Sequence, residues 1–162
     1  MWETEIQSFG DYLKIERGLS KHSHEAYLRD IQKLETYLAI SPVAIDQVNE
    51  SHILAFLKDL HALGIEASTQ SRTLSGIRAF FQFLVFDGTL KADPTVHVKN
   101  PQMGRKLPDT LSFDEITAIL DQADLSSPEG VRNRAMLEFL YGAGLRVSEL
   151  IGLKREDIYE DQ

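Results

Sequence analysis

Apolar residues recur at intervals of three and four along the first 88 positions, which is the spacing of an amphipathic α-helix. The pattern predicts four helices: from Thr4 to Arg17, after Ser20 to Ala39, from Glu50 to Leu63, and after Ser68 to Asp87. The predicted inward-facing residues are Ile6, Phe9, Tyr12, Leu13, Tyr27, Ile31, Leu34, Leu38, Ile53, Leu54, Phe56, Leu57, Leu60, Leu74, Ile77, Phe81, Leu84 and Val85. Four helices joined by short turns form a compact bundle.

The pattern changes after Gly88. Residues 89–110 contain three prolines and show no helical period, so we interpret them as an interdomain linker. The letters SFDE then predict a capping box between Ser112 and Glu115 at the start of a helix to about Ala123. Another helix follows SSPEG and reaches Tyr141, and a short one covers residues 147–153. The fold class is therefore predicted to be all-α.

The predicted organisation is a bundle over 1–88, a linker over 89–110 and a second unit over 111–162. The second unit has about 50 residues, and a chain of that size buries little surface on its own. It holds three apolar helices and then a polar end, KREDIYEDQ. We therefore expect residues 111–162 to be the opening of a larger, truncated domain.

Composition removes several classes of function. The 162 residues contain no cysteine, which excludes disulfides and thiolate metal sites and fits a reducing cytoplasm. We find no motif for a metal or a cofactor. No apolar run approaches the length of a membrane span, and the acidic N-terminus is unlike a signal peptide. A cytoplasmic protein without membrane partners is the prediction.

The net charge of −8 weakly disfavours nucleic acid, because DNA binding depends on basic side chains at phosphates. The distribution of charge is uneven, however. Residues 67–108 hold six basic residues against two acidic ones, a local excess of +4. A docked polyanion responds to this local charge more than to the sum over the chain.

Arg146 interrupts an apolar stretch directly after Gly142-Ala143-Gly144. A guanidinium stays charged in proteins, so it needs either solvent or an anionic partner. One interpretation is a surface arginine whose stem lies along apolar neighbours. The other is an anion clamp at a helix start, where free N–H groups favour a phosphate. Glu149 lies one helical turn on and could hold the guanidinium, or it could form an ordinary intrahelical pair.

Several stretches of the chain resemble motifs of the tyrosine site-specific recombinases, the integrase and Xer group. LRVSEL resembles the family's first-arginine motif, and SKHSHEAYLRDIQKLETYL resembles its Ser-x-x-Thr-x-x-x-Tyr-x-x-Asp-Leu helix, with Ser23 where threonine is common. STQSRTLSGIRAFFQFLVFDG is similar to its Arg-x-Leu-Ser-x-Ile/Leu-Arg-x-Phe-Phe helix. The Asp93-Pro94 turn and GRKLPDTLSFDEI follow in the family's order, so the resemblance covers essentially the whole chain.

The resemblance implies a fold and an activity. The first 88 residues would be a SAM-like core-binding bundle that clamps duplex DNA, and the second unit would begin the catalytic domain. That domain forms a phosphotyrosine bond to DNA without a metal or other cofactor, and recombinase protomers assemble as a tetramer on DNA. By position, Arg146 would be the first catalytic arginine and Glu149 its supporting acid. The family's later residues, including the tyrosine nucleophile, are not matched here, and Tyr159 lies too early for that role. This chain should therefore bind DNA without cleaving it.

Candidate DNA contacts lie on two helices and in the linker. The second helix presents polar residues away from its apolar stripe, and the fourth begins with small hydroxyl and amide side chains, which suit phosphates and base edges. Two basic residues in the linker would follow the DNA backbone. The predicted contacts are Lys21, His22, Ser23, Arg29, Ser68, Gln70, Ser71, Arg72, Arg78, Arg105 and Lys106. The alternatives are solvated helix faces, a non-catalytic DNA-binding module, or a protein-interaction module that the acidity would suit.

Overall fold

The computed structural model describes residues 2–102, 104 and 109–158. These residues form α1 (Glu3–Ile15), α2 (Lys21–Leu38), α3 (Glu50–Ala62), α4 (Ala67–Phe86), α5 (Phe113–Leu120), α6 (Pro128–Gly142) and α7 (Val147–Gly152). Short 3-10 helices cover Ile45–Gln47 and Arg155–Asp157. The described part of the chain contains no strand, which confirms the all-α prediction. Residues 1–105 and 106–162 form two compact units, each of which is considered by itself.

Side-chain caps begin several helices where the sequence predicted them. The Ser20 hydroxyl accepts a hydrogen bond of 3.3 Å from the backbone N–H of Ser23 at the start of α2. Ser112 and Glu115 form the predicted capping box of α5, with both reciprocal bonds present. Such caps satisfy N–H groups that have no partner inside a helix. Contacts within four consecutive residues therefore determine each of these starts locally.

Helices α1 to α4 enclose the core of the first unit. Most of the predicted inward-facing residues are buried or pack against that core. Leu54 is the exception, because 45% of its surface is exposed, so its predicted inward position is wrong. Trp2, Phe80 and Phe83 are buried although the predicted stripes omitted them. Helix α4 contacts α1, α2 and α3, so more than one of its faces is covered and a single apolar stripe underestimates its burial.

The stretch that follows α4 packs on the bundle. Leu90, Thr95 and Val98 are buried, and the Leu90 N–H donates to the carbonyl of Leu84 at 3.0 Å. Asp93 accepts hydrogen bonds from the backbone N–H and the hydroxyl of Thr95 at 2.7 and 2.6 Å. The segment 89–110, predicted as a linker from its prolines, thus includes residues that belong to the first unit. Proline and the absence of a helical period exclude a helix but do not exclude packing.

The second unit shows little burial among its described residues. Gly130 is buried there, whereas Phe113 is 69% and Ile151 78% exposed. The guanidinium of Arg134 on α6 joins this helix to the end of α5, donating to the Leu120 carbonyl at 3.0 Å and to Asp121 at 3.1 Å. Among the described residues, no helix combines the length and apolarity that crossing a membrane requires.

Candidate nucleic-acid interface

Arg146 lies where a turn passes into α7. Gly144 has a φ of +62°, a conformation that glycine adopts without the strain of a side chain. Arg146 is the N-cap residue of α7, with extended backbone angles. Its side chain is 81% exposed, so the guanidinium is open to a partner from solvent. The interpretation as a surface residue and the interpretation as an anion clamp both require this exposure.

Glu149 holds Arg146 at two points. One carboxylate oxygen accepts the backbone N–H of Arg146 at 2.8 Å, and the other accepts Nη1 of its guanidinium at 2.8 Å. These bonds from the backbone and then from the guanidinium keep the pKa of Glu149 below its usual value, so the carboxylate stays ionised near neutral pH. One of the five guanidinium N–H donors is used in this pair. The other four can meet an oxyanion.

A second arginine is placed by contacts between α2 and α4. Asp30 of α2 is 1% exposed, and its two carboxylate oxygens accept Nη1 and Nη2 of Arg72 at 2.5 and 3.1 Å. Thr73 and Lys33 donate to the same carboxylate at 3.2 and 3.3 Å. The side chain of Arg72 nevertheless remains 50% exposed and that of Lys33 42%. The Arg72 guanidinium and the Lys33 ammonium, both partly exposed, therefore share the buried carboxylate of Asp30.

The other candidates on α2 are distributed along the helix. Lys21 and His22 are exposed in its first turn, and Lys21 lies 4.0 Å from Glu25. Ser23 is half-buried and accepts a hydrogen bond from the Ser20 hydroxyl, so its own hydroxyl is engaged in the cap. Arg29 is exposed and lines the cleft between α2 and α3 together with Lys33. The basic members of this set are thus accessible to a polyanion.

One candidate on α4 requires correction, and a second is bonded to the segment that follows the helix. Gln70 is 3% exposed, and its amide Nε2 donates to the carbonyl of Ile65 at 2.6 Å, so it caps the preceding loop instead of facing DNA. The guanidinium of Arg78 donates to Asn100 Oδ1 at 2.6 Å and to the carbonyl of Val98. It fastens the segment after α4 to the bundle. Gln70 is buried, whereas Arg78 is half-buried and stays a predicted DNA contact.

The remaining candidates are Ser68, Ser71, Arg105 and Lys106. Ser68 is exposed and its hydroxyl donates to Glu66 at 3.3 Å, and Ser71 is half-buried. Arg105 and Lys106 lie outside the described residues. Among those that are described, no group of three or more His, Asp or Glu side chains is placed to hold a metal ion.

Asp30 is a site residue to which the sequence patterns assigned no role, although it lies in the stretch SKHSHEAYLRDIQKLETYL. A signal for it was present, because Asp30 adjoins Tyr27, Ile31 and Leu34 on the apolar face of α2. A carboxylate on a buried face needs a cationic or hydrogen-bonding partner. Its sequence therefore indicated a buried pair, although not the partner, which is 42 residues away.

Comparison with known proteins assigns the family. The sequence profile of the phage integrase N-terminal SAM-like domain matches residues 6–88, and that of the phage integrase family matches residues 109–162. The chain belongs to the phage integrase family, the tyrosine recombinases. This integrase-family chain is 38% identical over 157 residues to the tyrosine recombinase XerD of Staphylococcus saprophyticus, covering 96% of the chain and 53% of that relative.

Other similar proteins agree with the assignment. XerD of Oceanobacillus iheyensis is 40% identical over 161 residues, which are 98% of the integrase-family chain and 54% of XerD. The chain thus spans about half the length of the curated relatives it matches. A lambda integrase dimer bound to a COC' core site matches with a TM-score of 0.76 and 21% identity over 98% of the chain and 55% of the integrase. A lambda integrase tetramer bound to a Holliday junction gives the same TM-score and identity over 98% and 45%. At this identity the likeness shows the fold.

Proposed function

We propose that this chain is the DNA-binding portion of a tyrosine recombinase, with the first phosphate-binding arginine included. Helices α1 to α4 bind duplex DNA, and Arg146 meets the phosphate at which a strand is cut and rejoined. The chain itself binds DNA without cleaving it, because its sequence contains no match to the family's His-x-x-Arg pair. A complete recombinase with this sequence would cut through a phosphotyrosine intermediate.

The proposal depends on one observation, which is that Arg146 is exposed and held in place by Glu149. Its guanidinium is 81% exposed and is bonded to Glu149 at 2.8 Å. A planar guanidinium can donate to two oxygens of one phosphate at once. The family profile matched over residues 109–162 includes this arginine, and the residue lies at the start of a helix, as the motif LRVSEL implied.

The proposed chemistry is electrostatic. When a tyrosine oxygen attacks a DNA phosphate, the bond from phosphorus to the leaving sugar oxygen breaks and negative charge grows on the non-bridging oxygens. A guanidinium held beforehand at that place stabilises the charge in the transition state without reorganisation. Glu149 would act as a positioning residue, since its carboxylate accepts hydrogen bonds from both the backbone N–H and the guanidinium of Arg146.

Several finer assignments belong to this proposal. The DNA contacts would be made by the exposed or half-buried candidates, which are Lys21, His22, Ser23, Arg29, Ser68, Ser71, Arg72 and Arg78. Arg105 and Lys106, which lie outside the described residues, stay predicted contacts. The protein partners would be other recombinase protomers, since the similar lambda integrase is a tetramer on a Holliday junction. A protein that acts on chromosomal or plasmid DNA would be located in the cytoplasm.

Binding of the chain to a fluorescein-labelled duplex, followed by anisotropy, tests the first part of the proposal. We expect weak binding at low salt, with log Kd rising linearly against log salt between about 50 and 200 mM. As a control, an excess of unlabelled duplex should displace the labelled duplex and return its anisotropy to the value of the free DNA. A chain that shows no binding at the lowest salt would contradict the proposal and favour a protein-interaction module.

The role of Arg146 is tested in a protein that carries this sequence together with the rest of a recombinase catalytic domain. Arg146→Ala should lower cleavage of a suicide duplex by about a hundredfold or more, since one oxyanion donor is worth that much in other enzymes. Arg155→Ala removes another exposed guanidinium from the same unit and serves as the matched control. Equal cleavage by the Arg146 variant and the unmodified protein would refute the assignment.

A further inference from the structure

Asp30 has an environment that packing alone does not explain. Its side chain is 2% exposed and lies on the apolar face of α2. It nevertheless accepts four hydrogen bonds, two from Arg72 and one each from Thr73 and Lys33. A buried ion pair gives little net stability compared with apolar residues of similar volume. The arrangement is therefore better explained by what it does to the two cations.

The carboxylate fixes one edge of the Arg72 guanidinium and leaves the rest free for a second anion. Two of the five N–H donors point at the two Asp30 oxygens, so three donors are not used by this pair. A two-point bond holds the plane of the guanidinium as well as its position. The Arg72 side chain is half-exposed, so part of it remains open to solvent beyond the pair with Asp30.

The charges at this place favour an anion from outside. Arg72 and Lys33 contribute two positive charges and Asp30 one negative charge, so the cluster is net positive. Lys33 Nζ lies 3.3 Å from Asp30 Oδ1, so both cationic heads bond the same carboxylate. Exposed Arg29, which directly precedes Asp30 and lies one turn before Lys33, adds positive charge to the same helix.

Close packing of α2 and α4 makes the arrangement possible. A Cβ atom at Gly76 of α4 would lie 3.2 Å from both Cβ and Oδ2 of Asp30 and 3.5 Å from the Tyr27 ring. The glycine thus lets the two helices approach at the level of the carboxylate. Any larger residue would push Asp30 by a few tenths of an ångström, and with it the Arg72 fork.

We propose that Asp30 is a positioning residue that holds Arg72 and Lys33 as a paired site for one phosphate of the DNA backbone. The proposal rests on the proposed DNA-binding function and makes it specific. Simple electrostatics predicts the opposite, because removing a negative charge from a protein surface that faces DNA should strengthen binding. The two views therefore predict opposite signs for the same substitution.

The test measures duplex binding of the full chain by anisotropy with Asp30→Asn. We expect Kd to rise about tenfold at low salt, which is the size of a lost charged hydrogen bond. The slope of log Kd against log salt should fall by about one, because one phosphate contact is lost. The matched control is Asp11→Asn, which removes an exposed aspartate from α1 and should leave Kd unchanged or slightly lower. Binding of Asp30→Asn that equals or exceeds that of the unmodified chain would overturn the proposal.

A combined substitution separates positioning from a general structural role. Arg72→Gln together with Lys33→Gln should weaken binding, and adding Asp30→Asn to that pair should weaken binding no further. Losses that multiply would show that Asp30 acts independently of the two cations and would overturn the proposal. Far-UV circular dichroism and the fluorescence of Trp2, the single tryptophan, report whether each variant is folded.

Gly76→Ala tests the same positioning if Asp30→Asn does not fold. Alanine raises helix propensity while its methyl group displaces the carboxylate, so we expect a folded chain with several-fold weaker binding. Gly10→Ala on α1 is its control, because its nearest atom lies at an ordinary 3.5 Å. Unchanged binding by folded Gly76→Ala would contradict the proposal. If the unmodified chain binds no DNA at all, the proposed function itself fails, which is a different outcome.

Discussion

The two units of this chain are stabilised in different ways. In the first, Phe9, Ile77 and Phe80 are completely buried among side chains from four helices. In the described part of the second, Gly130 is the buried residue, and large apolar side chains such as Phe113 and Ile151 are exposed. Burial of apolar surface is the main favourable term in folding, so the first unit has a source of stability that the second largely lacks.

Local bonds take the place of a core in the second unit. Its helices begin with side-chain caps from Ser112 and Ser127, and Glu149 bonds back to Arg146. Helices of eight and six residues such as α5 and α7 are marginal in water on their own. The comparison thus teaches that the geometry of Arg146 depends on contacts within one helical turn, whereas that of Arg72 depends on packing between helices.

The largest effect that tests this comparison is expected from matched phenylalanine substitutions. Phe80→Ala should lower the free energy of unfolding of the first unit by about 3–5 kcal/mol, because it leaves a cavity in a filled core. Phe113→Ala should change stability by only about 0.5 kcal/mol, since 69% of its surface is already exposed. Urea unfolding followed by Trp2 fluorescence and by circular dichroism measures both. Similar losses in the two variants would remove the distinction between the units.

Two glycines of α6 provide a smaller, local test. A Cβ at Gly130 would lie 1.8 Å from the backbone oxygen of Asp124, so Gly130→Ala must displace the loop before α6. We expect a loss of about 1–3 kcal/mol, seen as faster hydrogen exchange in α6. Gly142→Ala meets no atom within 4 Å and should be neutral or stabilising by up to about 1 kcal/mol. The Trp2 fluorescence transition should not move in either variant. A shift of that transition would mean that the first unit depends on α6.

Acid should produce the smallest effect and should act on the caps. Hydrogen bonds from the Ser112 backbone N–H and hydroxyl lower the pKa of Glu115, and those from Arg146 lower the pKa of Glu149. Because each folded pKa lies below the usual 4.5, the carboxylates stabilise the folded state fully above pH 4.5. That stabilisation is lost as the pH falls through the folded pKa. We expect the helical signal to weaken below pH 4.5, and Glu115→Gln to reduce this change. The same acid response in Glu115→Gln and in the unmodified chain would exclude the cap as its source.

Much of the fold was predictable because it depends on neighbours along the chain. Apolar spacing predicted α1 to α4, and the cap signals SFDE and SSPEG predicted where α5 and α6 begin. Other features depended on distant residues and were not predicted. Trp2 stacks with Phe80 in the core, and Leu90, Thr95 and Val98 are buried although they lie in a segment with the composition of a linker.

The two arginines show the same division within the site. Arg146 and Glu149 are three residues apart, and a helix brings such a pair together whatever surrounds it, so the sequence by itself determined their contact. Arg72 and Asp30 are 42 residues apart, and only the packing of α2 against α4 decided that they meet. Contacts with segments outside α4 likewise engage Gln70, which donates to the Ile65 carbonyl, and Arg78, which donates to Asn100, although their sequence positions were compatible with an exposed face. Local spacing determines where helices begin and which side chains share a turn, while the orientation of a side chain towards another helix depends on how the helices are covered.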